Sequence, residues 1–228
     1  MCTKVAIIPA RGGSTRLPNK NVLPLANKPL IRWITEAVIE SNEFDDIYIS
    51  TDSDIIFNAV SDLQVKRHFR KPEHATTTST VLTAMIDLMN DIPRYDIFAY
   101  FLPTCPFLKS EYISQGIEQL TDEVDSVISV SYYEEPIQLA CIKQKDNTIV
   151  PIFDNLTAGL TNSKYIQKYV KPNGGFYMSH WTTLLEHQNF FKGHVKGIEI
   201  PNECLVDIDY AHDLKMAEIL WNEVLSKK

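Results

Sequence analysis

Residues 5 to 30 read Val5-Ala6-Ile7-Ile8-Pro9-Ala10-Arg11-Gly12-Gly13-Ser14-Thr15-Arg16-Leu17-Pro18-Asn19-Lys20-Asn21-Val22-Leu23-Pro24-Leu25-Ala26-Asn27-Lys28-Pro29-Leu30. The opening apolar run predicts a buried strand ending at Ile8, and the proline and glycines beyond it predict a loop. In that loop Gly12 and Gly13 leave backbone N–H groups unshielded, while Arg11, Arg16 and Lys20 bring three cations close together. Amides and cations gathered after a buried strand suit a polyphosphate. Glycine and arginine alone would better fit an ordinary solvated turn; the order of the whole string points to the phosphate role instead.

Further along, β-type runs at 4–8, 46–51, 96–102 and 125–131 alternate with helical patterns near 29–42, 79–91 and 109–121. Such alternation predicts an α/β fold, a mainly parallel sheet flanked by helices, with ligand-binding loops at the strand C-termini. The glycine loop stands where that rule requires it. After residue 131 the pattern changes. Ala140-Cys141-Ile142-Lys143 and Thr148-Ile149-Val150-Pro151-Ile152 flank an Asp146-Asn147 turn, and a polar stretch follows from Asp154 to Lys171. These segments predict a hairpin and an arm.

Composition fits one such core. The chain has 228 residues with 44% hydrophobic content, enough for one main domain and a small appendage. Its 22 basic and 29 acidic residues give a formal charge of −7, without the basic stripe that neutralises a nucleic-acid backbone. Nucleic acid is therefore an unexpected partner. No stretch approaches the roughly 20 apolar residues that span a bilayer, and Val5 to Ile8 is too short for a signal-peptide core. A cytoplasmic protein with no membrane association is the expectation. Cys2, Cys105, Cys141 and Cys204 lack paired spacing, so reduced thiols are expected. His180, His187 and His194 recur every seventh position, yet Asn189-Phe190-Phe191 and Gly193 should end the helix before His194. Zinc helices usually space ligands by four, so a metal role is not assigned to them.

The opening string resembles the signature of sugar-activating nucleotidyltransferases, in particular the cytidylyltransferases that couple CTP to nine-carbon acidic sugars of the sialic acid type. Their pattern runs Ile-Pro-Ala-Arg-Xaa-Gly-Ser-Lys, a short gap, Lys-Asn, and later Gly-Lys-Pro-Leu-Ile. This chain carries Ile8-Pro9-Ala10-Arg11, Gly13-Ser14, Lys20-Asn21 and Lys28-Pro29-Leu30-Ile31. It departs at Thr15-Arg16-Leu17-Pro18, which looks more like the enzymes activating the eight-carbon acid KDO, and at Asn27, where glycine is usual. The resemblance implies a Rossmann-like nucleotidyltransferase fold over residues 1–228, with a dimerisation and sugar-pocket subregion at about 132–172. It also implies a homodimer in which the arm crosses to the second subunit, CTP as one substrate, and Mg²⁺ as cofactor.

Site residues follow from the same resemblance. Ala10, Arg11, Gly12, Gly13, Ser14, Lys20 and Asn21 would surround the nucleotide, joined by Arg70 before Lys71-Pro72-Glu73. The run His74-Ala75-Thr76-Thr77-Thr78-Ser79-Thr80 is shorter than its family counterpart, and Ser79 fits either that run's place near the nucleotide or a cap on the next helix. Asp52 either faces the nucleotide or caps the next turn. Leu102-Pro103-Thr104-Cys105-Pro106-Phe107 looks like the family's Pro-Thr-Xaa-Pro loop, making Thr104 a sugar contact; Leu102 replaces the glutamine usual in sialic acid enzymes.

Lys171-Pro172-Asn173-Gly174-Gly175-Phe176-Tyr177 and Phe190-Phe191 are similar to elements lining the family's acyl-sugar pocket. Tyr177, Phe190 and Phe191 would meet the apolar faces of the sugar, although Phe176 and Phe191 suit a plain core equally well. Where sialic acid enzymes carry arginine the chain has Thr161-Asn162-Ser163-Lys164, so Lys164, Lys168 or Lys171 would supply the cation. Gln138, in Pro136-Ile137-Gln138, looks like the pseudaminic acid branch, whereas Pro172-Asn173-Gly174 looks like the neuraminic and legionaminic branch.

Leu205-Val206-Asp207-Ile208-Asp209 precedes a terminal helix. In an extended segment residues two apart face one way, so Asp207 and Asp209 can share an Mg²⁺, unless Asp209 merely caps the helix. The chemistry expected is attack of the sugar's anomeric hydroxyl on the α-phosphorus of CTP, with Arg11, Lys20 and Asp209 as the catalytic set. A KDO-activating enzyme is the alternative sugar reading. A nucleotide-binding regulatory module without catalysis is the alternative of another class.

Overall fold

The computed structural model describes residues 2–76, 79–204, 206–223 and 226. Seven strands make the central sheet: β1 (Lys4–Pro9), β2 (Asp46–Thr51), β3 (Lys66–Phe69), β4 (Ile97–Phe101), β5 (Ser126–Tyr132), β6 (Val170–His180) and β7 (Val195–Glu199), in the spatial order β7-β5-β6-β4-β1-β2-β3. β1 pairs in parallel with β2 and β4, β2 with β3, and β5 with β7. β6 alone runs antiparallel, between β4 and β5. The helices are α1 (Leu30–Ser41), α2 (Asp54–Asn58), α3 (Val81–Asp91), α4 (Ser110–Gln119), α5 (Trp181–His187) and α6 (Ala211–Glu223).

Both sheet faces are covered, and the sequence shows why. In β1, Ala6 and Ile8 join one core cluster while Val5 and Ile7 join the other; in β4, Ile97, Ala99 and Phe101 alternate with Phe98 and Tyr100 in the same way. A strand buried on both faces has no room for polar alternation and reads as a continuous apolar run. A third cluster of Leu25, Leu30, Phe107, Ile208 and Ala217 ties the loop after β1 to the C-terminal segment. Ile208 is fully buried there, which anchors the segment between Asp207 and Asp209.

Between β1 and α1, Pro24–Leu25 pairs with Lys28–Pro29 across Ala26 and Asn27, whose φ angles are 48° and 65°. Left-handed residues at both turn positions favour glycine or asparagine, so Asn27 is a fitting replacement for the usual glycine. α3 is capped by Thr80, whose Oγ1 accepts from Thr83 N at 3.1 Å. Ser79, expected as that cap, instead donates to the Glu73 carbonyl at 2.6 Å.

The predicted hairpin forms from Cys141–Lys143 and Ile149–Pro151, with Asn147 left-handed at the turn (φ 69°). It carries exposed Ile142, Ile149 and Val150, and the polar stretch beyond it leaves Leu160 and Tyr165 in solvent. Cys105 and Cys204 are buried and Cys2 and Cys141 exposed, with no disulfide. His180 ends β6, His187 ends α5 and His194 precedes β7, so the three histidines do not share a helix face. Among the described residues no helix is long and apolar enough to cross a membrane.

Candidate active site

A cleft of about 280 Å³ opens at the C-terminal ends of β1 and β4. The phosphate-type loop, the Arg70 strand exit, the Pro103-Thr104 turn and the aspartate segment all line it, bringing in Arg11, Ser14, Lys20, Asn21, Arg70, Thr104, Asp207 and Asp209. Leu205 and the Thr77-Thr78 part of the threonine run lie outside the described residues.

The loop is held from several sides. Asn21, itself buried, donates Nδ2 to the Arg11 carbonyl at 3.1 Å, and Arg11 donates to the Thr76 carbonyl. Asp52 Oδ1 accepts from the Gly12 amide at 2.7 Å. Asp52 thus pins the loop. It corrects the expectation for Gly12, whose N–H is engaged inside the protein rather than held open for phosphate. A Cβ on Gly13 would meet nothing within 4 Å, although Gly13 does not itself line the cleft. Ala10 lies in the core, 1% exposed, with its amide on the Ser50 carbonyl at 2.9 Å. It supports the loop instead of touching a ligand, a second correction.

Arg70 is buried, and its Nε donates to the His74 carbonyl at 2.8 Å. Burial lowers its guanidinium pKa and the neighbouring Arg11 charge lowers it further, only partly offset by Asp52. Two like charges held close in a protein wall favour an anion between them. Opposite stand the carboxylates. Lys20 Nζ lies 2.7 Å from Asp209 Oδ1, and Arg16 lies 2.7 Å from Asp209 Oδ2. Asp209 does not cap α6; Asp213 does that work, accepting from the Asp209 and Tyr210 amides at 3.0 and 2.8 Å. Asp207 keeps solvent access through the cleft mouth, yet the surrounding protein raises its carboxyl pKa. A Thr104 hydrogen bond and Lys20 oppose that rise, and the Asp209 charge adds to it. Thr104 also accepts the Ile208 amide at 2.9 Å, so the proline turn braces the aspartate segment.

Beside the cleft Tyr177 stacks on Tyr100 with ring centroids 4.8 Å apart, and the edges of Phe190 and Phe191 meet it at 5.6 and 6.4 Å. Burial raises the Tyr177 phenol pKa, with smaller contributions from Cys105 and Asp207. Phe191 is 56% exposed and can meet a ligand, whereas Phe190 is 3% exposed and backs Tyr177 from the core. Phe190 as a direct sugar contact is therefore corrected, and Phe176 is likewise core.

Gln138 and Lys171 do not reach the cleft within one chain. Gln138 is buried, its Nε2 donating to the Gln167 carbonyl at 2.8 Å while its Oε1 has no partner. Lys171 lies exposed near the start of β6, opposite Ser131 of β5, its Nζ 5.5 Å from the Tyr133 ring centre.

Asn173, within the Pro172-Asn173-Gly174 element expected at the sugar pocket, has a buried Nδ2 without a hydrogen-bond partner, and its Oδ1 accepts from Ser129 Oγ at 2.5 Å and from Gly175 N at 3.1 Å. Gly174 beyond it is left-handed (φ 79°), a conformation that favours glycine.

The model of a family described as cytidylyltransferase matches residues 5–222. A pseudaminic acid cytidylyltransferase of Campylobacter jejuni is 29% identical, covering 95% of this chain and 95% of that relative. A CMP-N,N'-diacetyllegionaminic acid synthase of Legionella pneumophila is 32% identical with the same 95% coverage of each. Among solved structures, a CMP-2-keto-3-deoxy-manno-octonic acid synthetase complexed with CTP superposes with a TM-score of 0.71 at 16% identity, covering 97% of this chain and 99% of that one, a likeness of fold. A mainly parallel sheet with a cation-rich cleft at its C-terminal edge, and a match running through nearly every element that builds it, make this chain a member of the cytidylyltransferase family.

Proposed function

We propose that the protein activates a nine-carbon 2-keto-3-deoxy acidic sugar of the pseudaminic, legionaminic or neuraminic type with CTP, giving the CMP-sugar and pyrophosphate. The observation that carries this reading is the convergence of Arg11, Arg16, Lys20 and Arg70 on one cleft that also holds Asp207 and Asp209. The names of the Campylobacter and Legionella relatives support the sugar class. Leu102 lines the cleft where a glutamine would hydrogen-bond neuraminic acid, which favours a nonulosonic acid other than neuraminic acid itself.

In the reaction, the anomeric hydroxyl gives up its proton to solvent as its oxygen bonds the α-phosphorus, and the bond from that phosphorus to the bridging oxygen breaks to release pyrophosphate. Catalysis of this kind is positioning and charge stabilisation. Arg11, Lys20 and Arg70 hold the triphosphate and the charge that gathers on the leaving pyrophosphate. Asn21 and Asp52 keep the loop in the shape that presents those cations. Thr104 fixes Asp207, and Tyr177 with Phe191 offers an apolar wall to the sugar. Asp207 and Asp209 would hold Mg²⁺, since both are hard oxygen donors lining one cleft and the Asp209 charge already bears on Asp207. The chemistry such an ion would supply is neutralisation of phosphate charge.

The arm, with exposed Ile142, Ile149 and Val150, suits burial in a homodimer that would bring Gln138 and Lys171 near a partner's sugar site. The charge of −7 argues against nucleic acid as a partner, and a cytoplasmic setting matches the supply of CTP. Pyrophosphate release with CTP and Mg²⁺ against pseudaminic, legionaminic and neuraminic acids and KDO tests the proposal. Turnover with one nine-carbon acid supports it. Turnover with KDO alone, or CTP binding without turnover on any sugar, overturns it.

A further inference from the structure

Asp209 is fully engaged in this structure. Each carboxylate oxygen has its own cation at 2.7 Å, Lys20 on Oδ1 and Arg16 on Oδ2. The two cations differ in freedom: the Lys20 side chain is 12% exposed and the Arg16 side chain 52% exposed. Arg16 is steadied from outside by Tyr210, whose ring centre lies 5.4 Å from the guanidinium carbon. Asp207, the other carboxylate of the pair, makes no such ion pair among the described residues. One half of the metal pair is thus open and the other is neutralised by the residues that face the phosphates.

We infer that Arg16 and Lys20 clamp Asp209 so that its carboxylate becomes a metal ligand only after a triphosphate draws the cations away. The inference rests on the proposed function, since it takes the cleft to hold a triphosphate and a divalent ion. Its physical basis is competition for charge. A cation paired to a carboxylate must leave, or share it, before a second cation can coordinate the same oxygens. A triphosphate offers Arg16 and Lys20 several oxygens and a larger negative charge, so binding it releases Asp209. Arg16 is then a positioning residue that places nucleotide before metal. Its half-exposed side chain leaves it freer to move than Lys20.

The test is Mn²⁺ affinity of the nucleotide-free protein, read from the resonance signal of unbound Mn²⁺, for wild type, Arg16→Gln, Arg16→Lys and Arg16→Gln combined with Asp209→Asn. Removing one partly solvated ion pair should tighten Mn²⁺ binding roughly two- to fivefold in Arg16→Gln. Arg16→Lys, which keeps the charge, should stay near wild type, and the Asp209→Asn change should abolish the gain. Saturating CTP should bring wild type and Arg16→Gln together. Equal or weaker Mn²⁺ binding by nucleotide-free Arg16→Gln overturns the clamp, as does a gain that survives Asp209→Asn. CTP titration by calorimetry on the same samples judges the proposed function separately, because the decisive Mn²⁺ comparison contains no nucleotide.

Discussion

Lys20→Ala separates a catalytic cation from a structural one. The side chain is nearly enclosed, 12% exposed, and its one short contact is Asp209 Oδ1 at 2.7 Å. Its backbone is held independently: the Lys20 amide bonds to the Leu17 carbonyl at 3.2 Å, and its carbonyl accepts from Leu23 at 3.1 Å. Truncation therefore leaves the turn intact, and Asp209 retains Arg16 at 2.7 Å. Loss of one such pair costs about 1 kcal/mol or less. In a chain of 150–250 residues that lowers Tm by about 2–4 °C. The kinetic effect belongs to a different scale. Removing a charged donor aimed at a developing oxyanion costs roughly 3–4 kcal/mol, or about 100- to 1,000-fold in kcat/KM. The assay is pyrophosphate release under kcat/KM conditions, paired with a thermal melt of the same preparation. Activity within tenfold of wild type, or a Tm fall beyond about 10 °C, refutes the assignment of Lys20 to the triphosphate.

Gly193→Ala should destabilise the fold while sparing the chemistry. Gly193 has φ 77°, and an added Cβ would fall 2.0 Å from Asp125 Oδ2, the oxygen that holds the His194 amide at 2.6 Å. A penalty of about 2–3 kcal/mol follows from strain and the lost contact, visible as a lower denaturant midpoint with unchanged KM for CTP. His68 is buried between Ser50 and Asp91, and burial lowers its pKa, with Asp91 partly opposing. The unfolded chain therefore binds a proton at a higher pH than the folded chain, so stability is complete above about pH 6.5 and falls as pH drops through it. Urea midpoints from pH 7.5 to 5 should slope more steeply for wild type than for His68→Gln, and parallel slopes would remove His68 from the account. Leu102→Gln introduces a donor and acceptor on the cleft wall and should lower KM for neuraminic acid relative to the preferred sugar; an unchanged ratio of kcat/KM values argues that Leu102 does not face the sugar.

What could be read from the sequence was local, and what could not was set by contacts between distant segments. β1 and β4 are legible because burial on both faces leaves only an apolar run, and α1 because Pro29 starts it and Asn42, left-handed at φ 54°, ends it. β3 and β7 lay beyond that signal: each is short, and their polar residues Lys66, Arg67 and Lys196 hide the pattern. The site divides in the same way. Arg11, Lys20 and Asp209 were nameable from motif and position, but Lys20 and Asp209 stand 189 residues apart, so nothing in either segment declares that they touch. The capping of α6 by Asp213 is what frees the Asp209 carboxylate for the cleft. Gln138 and Lys171 mark the opposite case, where a family motif assigns a role that a single chain does not display. Exposed Ile142, Ile149 and Val150 on the hairpin give a physical reason under the proposed homodimer: there a second chain would cover this region, and one chain's sequence does not contain that surface.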